Sequence, residues 1–347
     1  MESRFIKMQE ISLEVWKLTI RRELSMKISV LDYGVVDFGK TNEEAIQETI
    51  QLAKLAEELG YVRFWVAEHH QVKALSISAP EVVIPAIASQ TKNIHVGSGG
   101  IMGLHYAPYK VAEVMHSLEV LFPGRIDIGL GNSIGTKSVS TALKSHYTKP
   151  QFGEWVADVQ EIIQTNEAVP RTKRVPEQFL LGMGGESVHI AAKNGLGFVY
   201  GIFPYIPQEP LVLAKELATA YRKEFQSVNR TDSRFILAVF VVIADTEEKA
   251  EEMAQALDLW MLGKQDFSEF ETFPTNKDVK TRKVTPTERT TIEGNRQRLI
   301  VGDSQTVKAQ LDELCQVCNP DELLMIPLVG GFENRKRALE LFAQLYQ

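Results

Sequence analysis

Long apolar runs are missing from this chain: no stretch approaches the ~20 residues that cross a bilayer as a helix. Cysteine is scarce too. Cys315 and Cys318 are the only two in 347 residues, too few for a disulfide framework and in keeping with a reducing compartment. Dense lysine and arginine clusters are absent and the formal net charge is −7, which disfavours a polyanion such as nucleic acid while leaving room for a single phosphate. The head, residues 1–25, has no apolar core of a signal peptide, because Glu10, Glu14, Lys17, Arg21, Arg22 and Glu23 interrupt it. There is no H-E-x-x-H, no H-x-H after the first strand and no second ligand pair to join Cys315 and Cys318 in a zinc site. These absences predict a cytoplasmic protein without a metal, a membrane anchor or a nucleic-acid partner.

What is present is a repeated alternation of short β-branched runs with longer helical patterns, the mark of a parallel α/β fold. Strands are expected at 27–32, 62–67, 94–99, 125–130, 178–182, 196–202, 235–243 and 322–327, each with a helical partner before the next. The first helix announces itself with a capping box, Thr41 and Glu44, and ends at Gly60. Eight β/α units predict a (β/α)8 TIM barrel. An open doubly wound sheet would want G-x-G-x-x-G after the first strand, where the chain reads Asp32-Tyr33-Gly34-Val35-Val36-Asp37. A barrel needs about 250 residues, so two segments stand out as surplus. Residues 1–25 form an N-terminal extension, an upstream start or a tag-like addition, ahead of the barrel at 26–347. Residues 263–297 are a polar insertion between the last two β/α units, and Phe267, Phe270, Phe273 and Pro274 would give a lid there an apolar underside.

Chemistry in a barrel sits at the C-terminal ends of the strands. The second strand ends in Glu68-His69-His70. Neighbours on a strand point to opposite faces, so the three converge only if the chain turns there. One mouth histidine acting in proton transfer, with a pKa suited to neutral pH, is the expectation. The third strand ends in Gly97-Ser98-Gly99-Gly100, and a glycine pair at a strand top suggests close backbone approach or unusual geometry. The fourth runs into Gly129-Leu130-Gly131-Asn132, again bare backbone, and its later Gly135-Thr136-Lys137 fails the P-loop spacing. After the fifth strand come Gly182, Gly184, Gly185, Glu186 and Ser187 just before a helix, where exposed N–H groups and the helix dipole suit a phosphate. Trp16, Trp155 and Trp260 lie on helical patterns and read as packing residues, and the acidic run 247–252 reads as a solvated helix start.

Several of these segments together resemble the bacterial luciferase-like flavin-dependent monooxygenases. They are Trp65-Val66-Ala67-Glu68-His69-His70, Val96-Gly97-Ser98-Gly99-Gly100-Ile101-Met102, Val111-Ala112-Glu113 and Pro123-Gly124-Arg125-Ile126-Asp127-Ile128-Gly129-Leu130-Gly131. The resemblance runs from Met26 nearly to the C-terminus. It implies a barrel that takes FMN in reduced form, delivered by a separate reductase, with O2 and a small organic substrate such as an aldehyde, in a homodimer. It assigns proton handling to His69 as the catalytic residue. It implies a non-proline cis peptide at Gly99-Gly100 under the flavin ring, and flavin contacts from Glu68, Gly131 and Asn132. Gly184, Gly185, Glu186 and Ser187 take the place of the flavin phosphate site. The chain departs from the pattern at Asn132, where many relatives carry arginine, and at Gly103-Leu104-His105-Tyr106-Ala107-Pro108, where many read Leu-Pro-Asn-His-Ala-Pro. Two other functions fit the same motifs: hydride transfer with a flavin or deazaflavin, and flavin binding without catalysis.

Overall fold

Side chains alternate inward and outward along each strand, and that alternation builds the molecule. The computed structural model describes residues 26–145, 147–204, 209–228 and 230–346; the N-terminal extension, and Trp16 with it, lies outside the described residues. Among these, nine strands are formed: β1 (Lys27–Asp32), β2 (Arg63–Val66), β3 (His95–Met102), β4 (Ile126–Gly131), β5 (Glu177–Gly182), β6 (Gly197–Ile202), β7 (Phe235–Ile243), β8 (Leu299–Gly302) and β9 (Glu322–Ile326). All pairings between them are parallel. The order β1 to β7 runs around a ring that β9 closes, pairing with both β7 and β1. The expected eight-stranded barrel is therefore present. The ninth strand, β8, pairs with the last part of β7, from Phe240 to Ile243, and stands outside the ring.

The intervening helices are α1 (Asn42–Glu58), α2 (Pro80–Ala88), α3 (Pro108–Leu121), α4 (Lys137–Leu143), α5 (Phe152–Thr165), α6 (Gly185–Lys193), α7 (Pro210–Glu224), α8 (Glu247–Met261), α9 (Asn276–Thr281), α10 (Pro286–Arg296), α11 (Ser304–Cys318) and α12 (Phe332–Gln344). The capping box on Thr41 and Glu44 forms as expected. Residues 263–297, expected to lack periodic structure, contain α9 and α10. Each starts at a capping box, Thr275 with Asp278 and Thr285 with Glu288. Arg296 ties α10 to Asp258 and Glu251 on α8. Most of the insertion thus packs on the flank of the barrel.

Outward-facing strand residues such as Val30, Phe64, Val96 and Met325 join the apolar layer under the helices. Inward-facing Leu31, Trp65, Phe179, Leu324 and Ile326 fill the barrel. Trp155 and Trp260 are buried, as packing residues should be, and Cys318 is buried at the end of α11. The bulk of Trp65 explains part of the glycine pattern. A Cβ on Gly99 would lie 2.8 Å from Leu31 and 3.0 Å from Trp65, and one on Gly97 would lie 2.3 Å from the Asp127 carbonyl. These glycines make room inside the barrel itself.

At the N-terminal end of the ring, inward positions carry charge. Arg63 donates through Nη1 to Asp127 at 2.7 Å and through Nε to Glu322 at 2.8 Å, all three buried. Trp65 Nε1 donates to Asp127 at 2.9 Å, and the Ser29 hydroxyl donates to Glu322. His95 Nδ1 donates to the other Asp127 oxygen at 2.9 Å. Burial alone would push the Asp127 carboxyl up; Arg63 and His95 more than reverse this and hold it below its ordinary value.

Candidate active site

The opposite, C-terminal end of the ring opens into a cavity of 510 Å³, inside the roughly 300–1,000 Å³ range of small-molecule and cofactor sites. Its walls come from six successive strand ends and from the insertion, which contributes Asp266 and Phe267. Six of the sequence-predicted residues meet here: Glu68, His69, Gly99, Gly100, Gly131 and Asn132 all line it. Along β5 the wall reaches Gly182 and Met183, so Gly184, Gly185, Glu186 and Ser187 do not line the cavity but follow directly at its rim, at the start of α6.

All three residues of Glu68-His69-His70 face the cavity because β2 ends at Val66 and the chain leaves the strand there. Glu68 is buried and its oxygens are fully engaged. They accept from the Met102 backbone N–H at 2.9 Å and the Tyr106 hydroxyl at 2.6 Å, and one lies 2.7 Å from His70 Nε2. Burial first, and the Glu68 charge second, push the Tyr106 phenol well up, so it stays a donor. Glu68 therefore fastens the β3 top and orients the His70 ring.

His69 is placed differently. Its backbone N–H donates to Ile77 at 3.0 Å, its ring stacks at a tilt 4.5 Å from the Tyr33 ring, and its buried Nδ1 meets no partner among the described residues. Burial pulls its pKa down to about 4 despite the Glu68 carboxylate nearby. That departs from the expectation of a pKa suited to neutral pH: burial favours the neutral ring there, in which one nitrogen can accept and the other donate. Tyr33 and Tyr106 carry no motif in the sequence. Tyr33 was within reach of the strand-end rule, since it directly follows β1; Tyr106 was marked only as part of the 103–108 departure from the family pattern, with no role attached.

The Gly99-Gly100 peptide is cis, as the resemblance implied. A Cβ on Gly100 would lie 2.9 Å from the Gly129 carbonyl oxygen, so bare backbone is needed on this floor. At the start of α6 the reason for glycine is different. Gly184 is the N-cap, no side chain caps the helix, and Cβ atoms on Gly184 or Gly185 would meet nothing within 4 Å. The first N–H groups of this nine-residue helix thus have no capping side chain, which suits an anion. Ser187 is buried beside it, and Gly182 leaves the room that Ser187 occupies. Among the described residues, no group of three or more His, Cys, Asp or Glu side chains could hold a metal ion.

The insertion reaches the mouth through Phe267, whose ring lies 4.7 Å from Trp260. Phe273 and Pro274 are buried below it, and the Phe273 N–H donates to Val36 at 2.8 Å.

Residues 26–317 match the luciferase-like monooxygenase family. The chain belongs to that family. As a luciferase-like monooxygenase it is 36% identical over 335 residues to the uncharacterized protein YwcH of Bacillus subtilis (strain 168), covering 92% of this chain and 99% of that protein. It is 38% identical over 239 residues to N-acetyl-S-alkylcysteine monooxygenase of the same organism, covering 65% of this chain and 70% of that protein. Among solved structures it is similar to apo-MsnO8, with a TM-score of 0.80 and 28% identity over 92% of this chain and 98% of that one. No helix among the described residues is long and apolar enough to cross a membrane.

Proposed function

We propose that this luciferase-like monooxygenase uses reduced FMN and O2 to oxidise a small organic substrate, with the flavin supplied by a separate reductase. The observation that carries this reading is a cavity at the C-terminal end of the barrel with a bare glycine floor, an uncapped helix start at its rim and, in its wall, a histidine nitrogen without a partner among the described residues. Those features fit FMN. The phosphate suits the start of α6, held by the N–H groups after Gly184 and by Ser187; Glu186 is exposed there and free to turn away. The ring system suits the floor of Gly99, Gly100 and Gly131, beside Ile101 and Leu181.

Reduced FMN, when bound, supplies the electrons that let one atom of O2 enter the substrate while the other leaves as water. The protein's own tasks are then definable. Phe203 and Phe267 keep water from the cavity, which protects a reactive site from side reactions. His69, neutral near pH 7, takes or returns a proton at a ring nitrogen. Glu68 holds His70 and the β3 top in register. Proton transfer of this kind contributes roughly 10²–10⁴-fold to rate.

A homodimer and a cytoplasmic setting accompany this reading by resemblance. An aldehyde is one substrate to try; the Bacillus subtilis relative's name makes an N-acetyl-S-alkylcysteine another. Hydride transfer with deazaflavin is the competing reaction, and flavin binding without turnover is the third. One experiment separates them: the chain is titrated with reduced FMN, oxidised FMN and reduced deazaflavin, then exposed to O2 with each substrate. Reduced FMN should bind best and oxygenated product should form. Failure to bind FMN in either redox state sinks the reading, and tight deazaflavin binding without O2 uptake replaces it with hydride transfer.

A further inference from the structure

A second cavity, of 610 Å³, shares His69 and Val72 with the first. Three pieces of chain border this open cavity: the end of the β1 loop with the first turn of α1, residues 71–78 after β2, and Glu271 with Thr272 from the insertion. Hydrogen bonds stitch these pieces together. Val36 N–H donates to Ala74 at 2.9 Å, Ser76 N–H to Gly34 at 2.8 Å and Phe273 N–H to Val36 at 2.8 Å. Gly34 has φ +66°, and a Cβ there would lie 2.5 Å from Ile77, so the two segments are fitted closely. The cavity is a built space between fixed walls.

Its lining is amphiphilic. Val36 and Leu75 are buried and lie with Val72 and His69, whereas Lys40, Asn42, Gln71, Lys73 and Ser78 are exposed at the rim. Most of the rim charge is committed locally. Lys40 pairs with Glu44 at 3.1 Å and reaches Glu48, both on α1, and Glu43 is engaged by its own backbone N–H and the Thr41 hydroxyl. Lys73 differs. Its one partner among the described residues is Glu271 on the insertion, and both side chains are more than half exposed, 53% and 77%. Exposed pairs of this kind contribute little, so an incoming carboxylate can displace Glu271 from the Lys73 ammonium at small cost.

We propose that this second cavity binds the polar end of the substrate and that this end is a carboxylate: an amphiphilic organic acid held at Lys73, with Gln71 and Ser78 as further donors, whose apolar chain runs past Val72 to His69. The assignment rests on the monooxygenase reading and deepens it by naming the substrate class. Calorimetric titration of the flavin-free chain with octanoate, octanol and octylamine tests it. Octanoate should bind with a Kd of about 1 mM or tighter, and octanol at least about tenfold more weakly. Lys73→Met should weaken octanoate about tenfold, abolish the preference over octanol and leave reduced-FMN binding unchanged. No octanoate binding, equal binding of acid and alcohol, a preference for octylamine, or an unchanged preference in Lys73→Met each overturns the proposal. Failure of wild-type chain to bind FMN removes the monooxygenase reading instead, and leaves the acid titration standing as a separate result.

Discussion

At the N-terminal end of the barrel His95 donates to Asp127 at 2.9 Å; at the mouth His69 sits next to Glu68 in sequence, yet its buried Nδ1 has no partner among the described residues. The hydrogen bond to Asp127 lifts the pKa of His95, while burial pulls that of His69 down to about 4. The carboxylates differ in the same way. Asp127 and Glu322 answer a buried cation, whereas Glu68 is held by neutral donors and a histidine. One end of the ring satisfies its charge internally and holds the strands together. The other leaves a nitrogen without a partner among the described residues, in the wall of the mouth cavity. This division matches the general asymmetry of such barrels, stability below and chemistry above.

The contrast breaks most sharply at Arg63. Arg63→Met leaves Asp127 and Glu322 buried without their cation and should cost about 3–5 kcal/mol in urea unfolding. FMN binding per folded molecule should be unchanged, because the mouth is untouched; a loss below about 1 kcal/mol would show that the lower network is not what holds this end.

His69→Asn probes the other end. Turnover should fall about 10²-fold or more, and the pH dependence of stability should change with it. In the wild type the unfolded chain takes a proton on His69 near pH 6.5 and the folded chain only near pH 4. Stability is therefore lost as pH falls through that window, by up to about 3 kcal/mol. The variant should lack this loss, which a comparison of melting temperatures between about pH 4 and pH 7 reads directly. Identical slopes in the two proteins would contradict the unpartnered, neutral ring.

The smallest effect, with the opposite sign, belongs to His95. A histidine whose folded pKa is raised adds stability that is complete below its unfolded value of about 6.5 and fades as pH rises through the folded value. His95 is partly exposed, so the contribution is about 1 kcal/mol or less. His95→Gln should accordingly destabilise at about pH 5.5 and do little at about pH 9, as measured by melting temperature. A deficit that grows with rising pH would reverse the comparison.

Much of the fold was legible because β-branched runs and helix stops are local signals, and the strand-end rule then placed Glu68, His69, Gly99, Gly100, Gly131 and Asn132 at one mouth. What escaped depends on distant partners or on short elements. Four residues, Leu299 to Gly302, are too few to show an alternation, so β8 went unread. The boxes Thr275/Asp278 and Thr285/Glu288 were present, but α10 carries almost no apolar stripe to mark the helix behind its box. The pKa of His69 is set by burial that only the assembled mouth provides. Tyr106 meets Glu68 across 38 residues and Arg63 meets Asp127 across 64, distances that no pattern in a window can register.

The position of β8 outside the ring has one more consequence. The hydrogen-bond circuit of the barrel closes through β9 onto β7, whereas β8 hangs on the far end of β7 and carries the insertion with it. Residues 263–302 are therefore no link of that circuit: the eight-stranded ring closes without them, while Phe267 of the same segment stands in the wall of the mouth.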